Sequence, residues 1–251
     1  MLRKLSIICH LVVCLLTTVT SQSCKKSIET QKLKTSTTTT TVDISPDTLD
    51  VKYTFDAIIE PPLPSLTSLP DTTFIRLLDY STDFMYDLRY ATENNFLKAQ
   101  VYDCAECYTR VKTARALIKA NTDLKELGLH IKFFDCYRPN SVQYKMWKIV
   151  PNPQYVANPV KGSIHNRGGA VDITLVDSSG KELDMGTDFD YFGKRAYHDN
   201  KELPEIILEN RKLLKETMER HGFWSIRTEW WHYNLAGATK DPVANFNWEC
   251  E

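Results

Sequence analysis

Asp172 sits inside an otherwise apolar run, Ala170-Val-Asp-Ile-Thr-Leu-Val176, and no other feature restricts the fold so tightly. Such a β-branched stretch reads as a strand. A carboxylate within it is costly to bury unless it is ion-paired or bound to a cation. The run is entered through Ser163-Ile-His-Asn-Arg-Gly-Gly169. The glycine pair lets the backbone turn so that His165 faces an inward side chain of the strand. Any fold must therefore bring compensating charge to Asp172. Arg138 or Arg167 as an ion-pair partner is one solution, and a metal shared with histidines is the other.

The remaining elements follow from periodicity. Apolar residues at three- and four-residue spacing (Val111, Ala114, Leu117, Ile118) predict a helix over about 108–127, with Gly128 at its end. Residues 129–137 alternate like a half-buried strand. Pro139 suits the first turn of a short helix carrying Tyr144 and Trp147. Residues 204–221 form an amphipathic helix closed by Gly222, and 224–235 read as a last strand. Short extended pieces around Phe74, Leu77, Leu78, Met85 and Leu88 precede them. Helices and strands do not alternate regularly, and no glycine-rich phosphate loop follows a strand. The expectation is an α+β fold, a mostly antiparallel sheet flanked by helices. With 31 Lys+Arg against 32 Asp+Glu and no basic cluster, nucleic acid is not the expected partner.

The first residues carry a different message. Arg3 and Lys4 precede an apolar stretch over 5–19, then Ser21-Gln22-Ser23 and Cys24, which predicts a signal peptide over 1–23 and export. Cys24 followed by Lys25 and Lys26 resembles a bacterial lipoprotein site, although Ser21 stands where that pattern prefers leucine. The alternative is ordinary cleavage near Ser21 or Ser23. Residues 24–55, rich in Lys, Ser and Thr, predict a disordered tether to a folded domain over 56–251. Cys104, Cys107, Cys136 and Cys250 remain for that domain, and in an exported chain four cysteines allow two disulfides in three pairings. A local Cys104–Cys107 bridge with Cys136–Cys250 pinning the C-terminus is the expected pairing.

Among six histidines, His165 and His232 keep unusual company: the first lies in the turn before Asp172, the second closes Glu229-Trp-Trp-His232. Catalytic zinc commonly takes three ligands from His and Asp/Glu and keeps a position for water. His165, Asp172 and His232 supply that set. Glu229 would be the proton-transfer group, provided a bend brings it round, because positions three apart in a strand face opposite sides. Taken singly, each residue has a plainer role: a loop histidine satisfied locally, an ion-paired Asp172, and Trp230 and Trp231 as core packing.

These motifs resemble a known family. Ser-x-His-x-x-Gly-x-Ala-x-Asp followed by Glu-x-Trp-His is similar to the zinc D-alanyl-D-alanine dipeptidases of the vancomycin-resistance (VanX) type, grouped with D,D-carboxypeptidases and the hedgehog-like fold. Asp87-Leu-Arg-Tyr-Ala-Thr92, Asp135-Cys-Tyr-Arg-Pro139 and Met185-Gly-Thr-Asp-Phe-Asp190 extend the likeness over roughly 74–233. The resemblance implies one zinc ion on His165, Asp172 and His232, and Glu229 as general base and acid. It further implies Arg138 on the developing oxyanion, Asp190 on the substrate's amino group, and Ser163 and Tyr90 lining the pocket. The implied substrate is the D-Ala-D-Ala dipeptide; the N-terminal segment, which lies outside the resemblance, adds the expectation of the periplasm or cell envelope and of membrane attachment through a lipidated Cys24. A D,D-carboxypeptidase acting on peptidoglycan stems and a non-catalytic zinc-binding module are the competing expectations.

Overall fold

The computed structural model describes residues 62–250. The signal peptide, Cys24 and the tether expected from the sequence lie outside the described residues. The elements are β1 (Phe74–Arg76), β2 (Met85–Tyr86), β3 (Tyr108–Arg110), α1 (Val111–Lys125), β4 (Leu129–Asp135), α2 (Asn140–Ile149), β5 (Ala170–Asp177), α3 (Glu205–Arg220), β6 (Phe223–Ser225) and β7 (His232–Leu235). A five-stranded sheet runs in the order β2-β4-β5-β7-β6, and β1 pairs with β3 separately. Only β2 lies parallel to its neighbour; β4, β5, β7 and β6 pair antiparallel. The fold is the expected α+β arrangement.

Period-two geometry divides β5 between two faces. Val171, Ile173 and Leu175 enter the main core with Leu117 and Leu124 of α1, Ile131 and Phe133 of β4, and Leu214 and Met218 of α3. Asp172 and Thr174 point the other way, yet both remain buried. A strand buried on both faces reads as the near-continuous apolar run seen in the sequence, which leaves Asp172 its one charged interior position.

Three expectations need correction. The helix predicted from 108 begins at Val111, because Tyr108–Arg110 pair with Phe74–Arg76 instead. The last strand is interrupted: residues 226–231 form turns between β6 and β7. Neither predicted disulfide forms; the bridges are Cys107–Cys136 and Cys104–Cys250. The amide of Tyr137 donates to the carbonyl of Tyr108, which sets the two preceding cysteines side by side. Phe246 stacks on Tyr137 and Trp248 on Tyr108, so the C-terminal segment returns past this point and delivers Cys250 to Cys104. Local sequence spacing carried no information about either approach.

Candidate active site

The sheet register assembles the site. Asp135 of β4 is the cross-strand partner of Asp172 in β5, and Asp172 is the partner of His232 in β7. Three polar side chains thus form one row across neighbouring strands, where direct partners stand about 4.5–5.5 Å apart. His165 joins them from the turn before β5. That turn needs Gly168, whose backbone is left-handed (φ 68°) and where an added Cβ would meet the Phe74 ring at 2.3 Å.

His165 Nε2 lies 3.2 Å from His232 Nδ1 and 3.5 Å from the Asp172 carboxylate, which is 2.9 Å from His232 Nδ1. The other ring nitrogens are already engaged. His165 Nδ1–H donates to the Cys136 carbonyl at 2.8 Å, and His232 Nε2–H to Asn234 Oδ1 at 2.9 Å. A neutral imidazole has one N–H, so both facing nitrogens present lone pairs to each other and to a carboxylate. Three electron-pair donors so close together make a seat for a cation. Bonds of ~2.0–2.2 Å in a tetrahedron space neighbouring donors ~3.3–3.6 Å apart, near the observed separations. His165, Asp172 and His232 therefore fit a divalent metal, with backbone and amide acceptors fixing each ring's tautomer. Burial alone would raise Asp172; the two histidine rings outweigh it and hold the carboxyl well below its usual range.

These residues line a cavity of ≈ 410 Å³ together with Arg138, Glu229, Asp190, Tyr90 and Ser163. All eight residues singled out in the sequence meet there. Glu229 sits in the turn that breaks the last strand, and this break supplies the bend its role demands. Burial raises its carboxyl pKa, with His232 pulling the other way. Tyr90 Oη donates to Asp190 at 3.1 and 3.2 Å. Burial, and then the Asp172 charge, push Asp190 well above the carboxylate norm. Ser163 is held by Asn166, whose Oδ1 accepts from the Ser163 amide and hydroxyl.

Neither arginine offered as an ion-pair partner takes Asp172. Arg138 donates to Asp135 through Nε (3.1 Å) and an Nη (2.5 Å), and to Gln143 Oε1 at 2.9 Å. It also lies over the Tyr90 ring, 5.1 Å from the centroid. Arg167 donates to the Asp241 carbonyl. The cavity therefore gathers three carboxyl groups around one guanidinium that is already paired below, and a cationic ligand would relieve the burial and crowding that raise Asp190 and Glu229. Sequence reasoning passed over the supports of this site. Tyr102 Oη donates to Asp135 at 2.7 Å, Gln143 braces Arg138, and Asn234 orients His232. Asn234 lies two residues after His232 on the same strand face, and that spacing was a signal available beforehand.

A buried His-Asp-His donor set facing a carboxylate, with a fixed guanidinium across the cavity, is the arrangement of a metal-dependent hydrolase. Residues 71–248 match the peptidase M15 family described as D-ala-D-ala dipeptidase, and the chain belongs to that family. It is 34% identical over 183 residues to the D-alanyl-D-alanine dipeptidase of Escherichia coli K12, covering 72% of this chain and 95% of the relative. It is 32% identical over 171 residues to the protein of that name from Enterococcus faecalis V583, covering 60% and 85%. A solved structure of a variant of the vancomycin-resistance D,D-pentapeptidase VanY with Zn(II) overlaps 53% of this chain and 78% of its own, at 18% identity and a TM-score of 0.36.

Proposed function

We propose that the protein hydrolyses the D-alanyl-D-alanine dipeptide in cell-wall peptide turnover, using zinc held by His165, Asp172 and His232. The observation that carries this reading is the convergence of the Asp172 carboxylate with two imidazoles whose N–H groups are committed elsewhere. Zinc held by these three residues would acidify a water toward neutrality and polarise a peptide carbonyl. Glu229 accepts the proton of the attacking water and returns it to the departing amine. Burial raises its pKa, which favours its holding the proton between the two steps. Arg138, immobilised by Asp135 and Gln143, faces the carbonyl oxygen as negative charge grows there. Asp190, with Tyr90, holds the free ammonium group, and Ser163 lies along the bound dipeptide. An anchor of this kind suits a dipeptide and is of no use to an acylated stem peptide.

The test compares D-Ala-D-Ala, L-Ala-L-Ala and N-acetyl-D-Ala-D-Ala with and without chelator. Only the first is expected to turn over, with loss on chelation and recovery on adding zinc. Glu229→Gln should keep its zinc and lose at least ~100-fold in kcat. Equal turnover of the acetylated dipeptide would remove the dipeptidase reading, and chelator-resistant turnover would remove the metal.

We also propose that residues 1–23 direct export, that Cys24 is the lipid-bearing residue of an envelope protein, and that 24–55 tether the domain. The apolar stretch before Cys24 supports this reading, as do two disulfides of a kind that persist in oxidising compartments. Mass spectrometry of the mature N-terminus, with Cys24→Ser as control, decides it.

A further inference from the structure

The inward stripe of α3 runs Ile207, Arg211, Leu214, Met218, and one of these four positions holds a guanidinium. Arg211 is 4% exposed. It donates from Nε to the Met185 carbonyl at 2.7 Å, and from its two Nη atoms to those of Tyr197 (3.3 Å) and Arg195 (3.0 Å). Among the described residues it forms no ion pair. Burial lowers its pKa to about 10. An unpaired buried charge is costly, and a leucine or methionine would complete the apolar stripe without that cost. What the guanidinium holds accounts for its presence.

Its acceptors lie near both ends of the 185–197 segment, which carries Asp190. Asp190 has a left-handed backbone (φ 61°), a conformation costly for a non-glycine residue and kept only where the surroundings enforce it. At the start of the segment Gly186 (φ 80°) lies so close to α3 that an added Cβ would meet Ile207 Cγ2 at 2.9 Å. Arg211 also lies 5.9 Å from the centre of the Trp230 ring, and Trp230 Nε1 donates to Thr187 in the same segment. Trp230 adjoins Glu229. One side chain thus touches the mounting of the amine anchor and that of the proton-transfer carboxylate.

We propose that Arg211 is a positioning residue for substrate specificity, clamping the 185–197 segment so that Asp190 is presented to the substrate's ammonium group. The proposal rests on the reading of Asp190 as the amine anchor. Arg211→Met should fold and keep its zinc. Its KM for D-Ala-D-Ala should rise about tenfold or more, since small displacements of a positioning group carry large kinetic penalties, with a smaller change in kcat. The preference for D-Ala-D-Ala over its N-acetyl form should shrink in parallel. In an Asp190→Asn background Arg211→Met should add little, because both changes remove one function. Amide hydrogen exchange over 186–196 should accelerate in Arg211→Met. Should Arg211→Met not fold, Arg211→Lys, which keeps the charge but cannot reach three carbonyls, carries the same comparisons. An unchanged preference with unchanged exchange, or effects that multiply with those of Asp190→Asn, overturns the proposal. A wild-type enzyme indifferent to N-acetylation would instead remove the role of Asp190, and the exchange measurement would still judge the clamp.

Discussion

His198 shows how a single side chain ties pH to the architecture around the cavity. Its amide donates to the Arg227 carbonyl, and its ring stands against the backbone of Glu229 and the Tyr233 ring. Burial, reinforced by Lys215 and Arg211, lowers its pKa from 6.5 to about 4. The folded protein therefore keeps the ring neutral at pH values where the unfolded chain protonates it. No penalty exists above pH ~6.5; stability falls as pH drops below that value and levels off below pH ~4. Between pH 7 and 5 the loss assigned to this residue is about 2 kcal/mol. Urea unfolding of the wild type and His198→Asn at both pH values checks this, and the variant should lose less on acidification. Equal losses would mean that the ring is not held neutral. Residue by residue, legibility tracked chemical incongruity. Asp172 stood out because a charge interrupts an apolar run. Arg211 did not, because between Asn210 and Lys212 it reads as one more solvated helix charge.

At the scale of elements, the clearest segments in the sequence were those with a single dominant period. β4, β5 and α3 fall close to their expected places because burial on a fixed face wrote a regular pattern into them. The turn over 226–231 was hidden: Ile226, Trp230 and Trp231 have strand-like propensities, and only the need to bring Glu229 beside His232 hinted at a break. The entry to α1 was misread for the converse reason, since Tyr108–Arg110 are recruited by β1 through contacts far away in the chain. The turn before β5 offers a test at this scale. Gly168→Ala combines a left-handed backbone with a collision against Phe74, so a destabilisation of about 1–3 kcal/mol is expected. Ala238→Gly, in a neighbouring but unstrained position, should cost less; similar losses in urea titrations would deny the turn its special geometry.

Over the whole molecule, the two disulfides close loops of very different span, with sequence separations of 29 and 146. In the chain-entropy account each contributes about 3–5 kcal/mol by restricting the unfolded chain. Their effects on the site differ. Cys136 supplies the carbonyl that orients His165, whereas Cys104–Cys250 fastens the C-terminal aromatic segment over Tyr102 and Tyr108. Removing the Cys107–Cys136 pair by serine substitution should lower both Tm and zinc affinity. Removing Cys104–Cys250 should lower Tm and leave affinity nearly unchanged. Thermal melts beside a competitive zinc titration separate the two, and identical affinity losses would show that the Cys136 carbonyl has no orienting role.

The row formed by Asp135, Asp172 and His232 carries a consequence for how errors in folding are tolerated. Slipping β5 by one residue against either neighbour would turn the carboxylate toward Leu117 and Phe133 and send an aliphatic side chain into the cavity. A pairing shifted by a single residue cannot preserve the oily layer while spoiling only the chemistry. The alternation that seats Val171, Ile173 and Leu175 in the interior is thus the same one that sets Asp172 in line with His232.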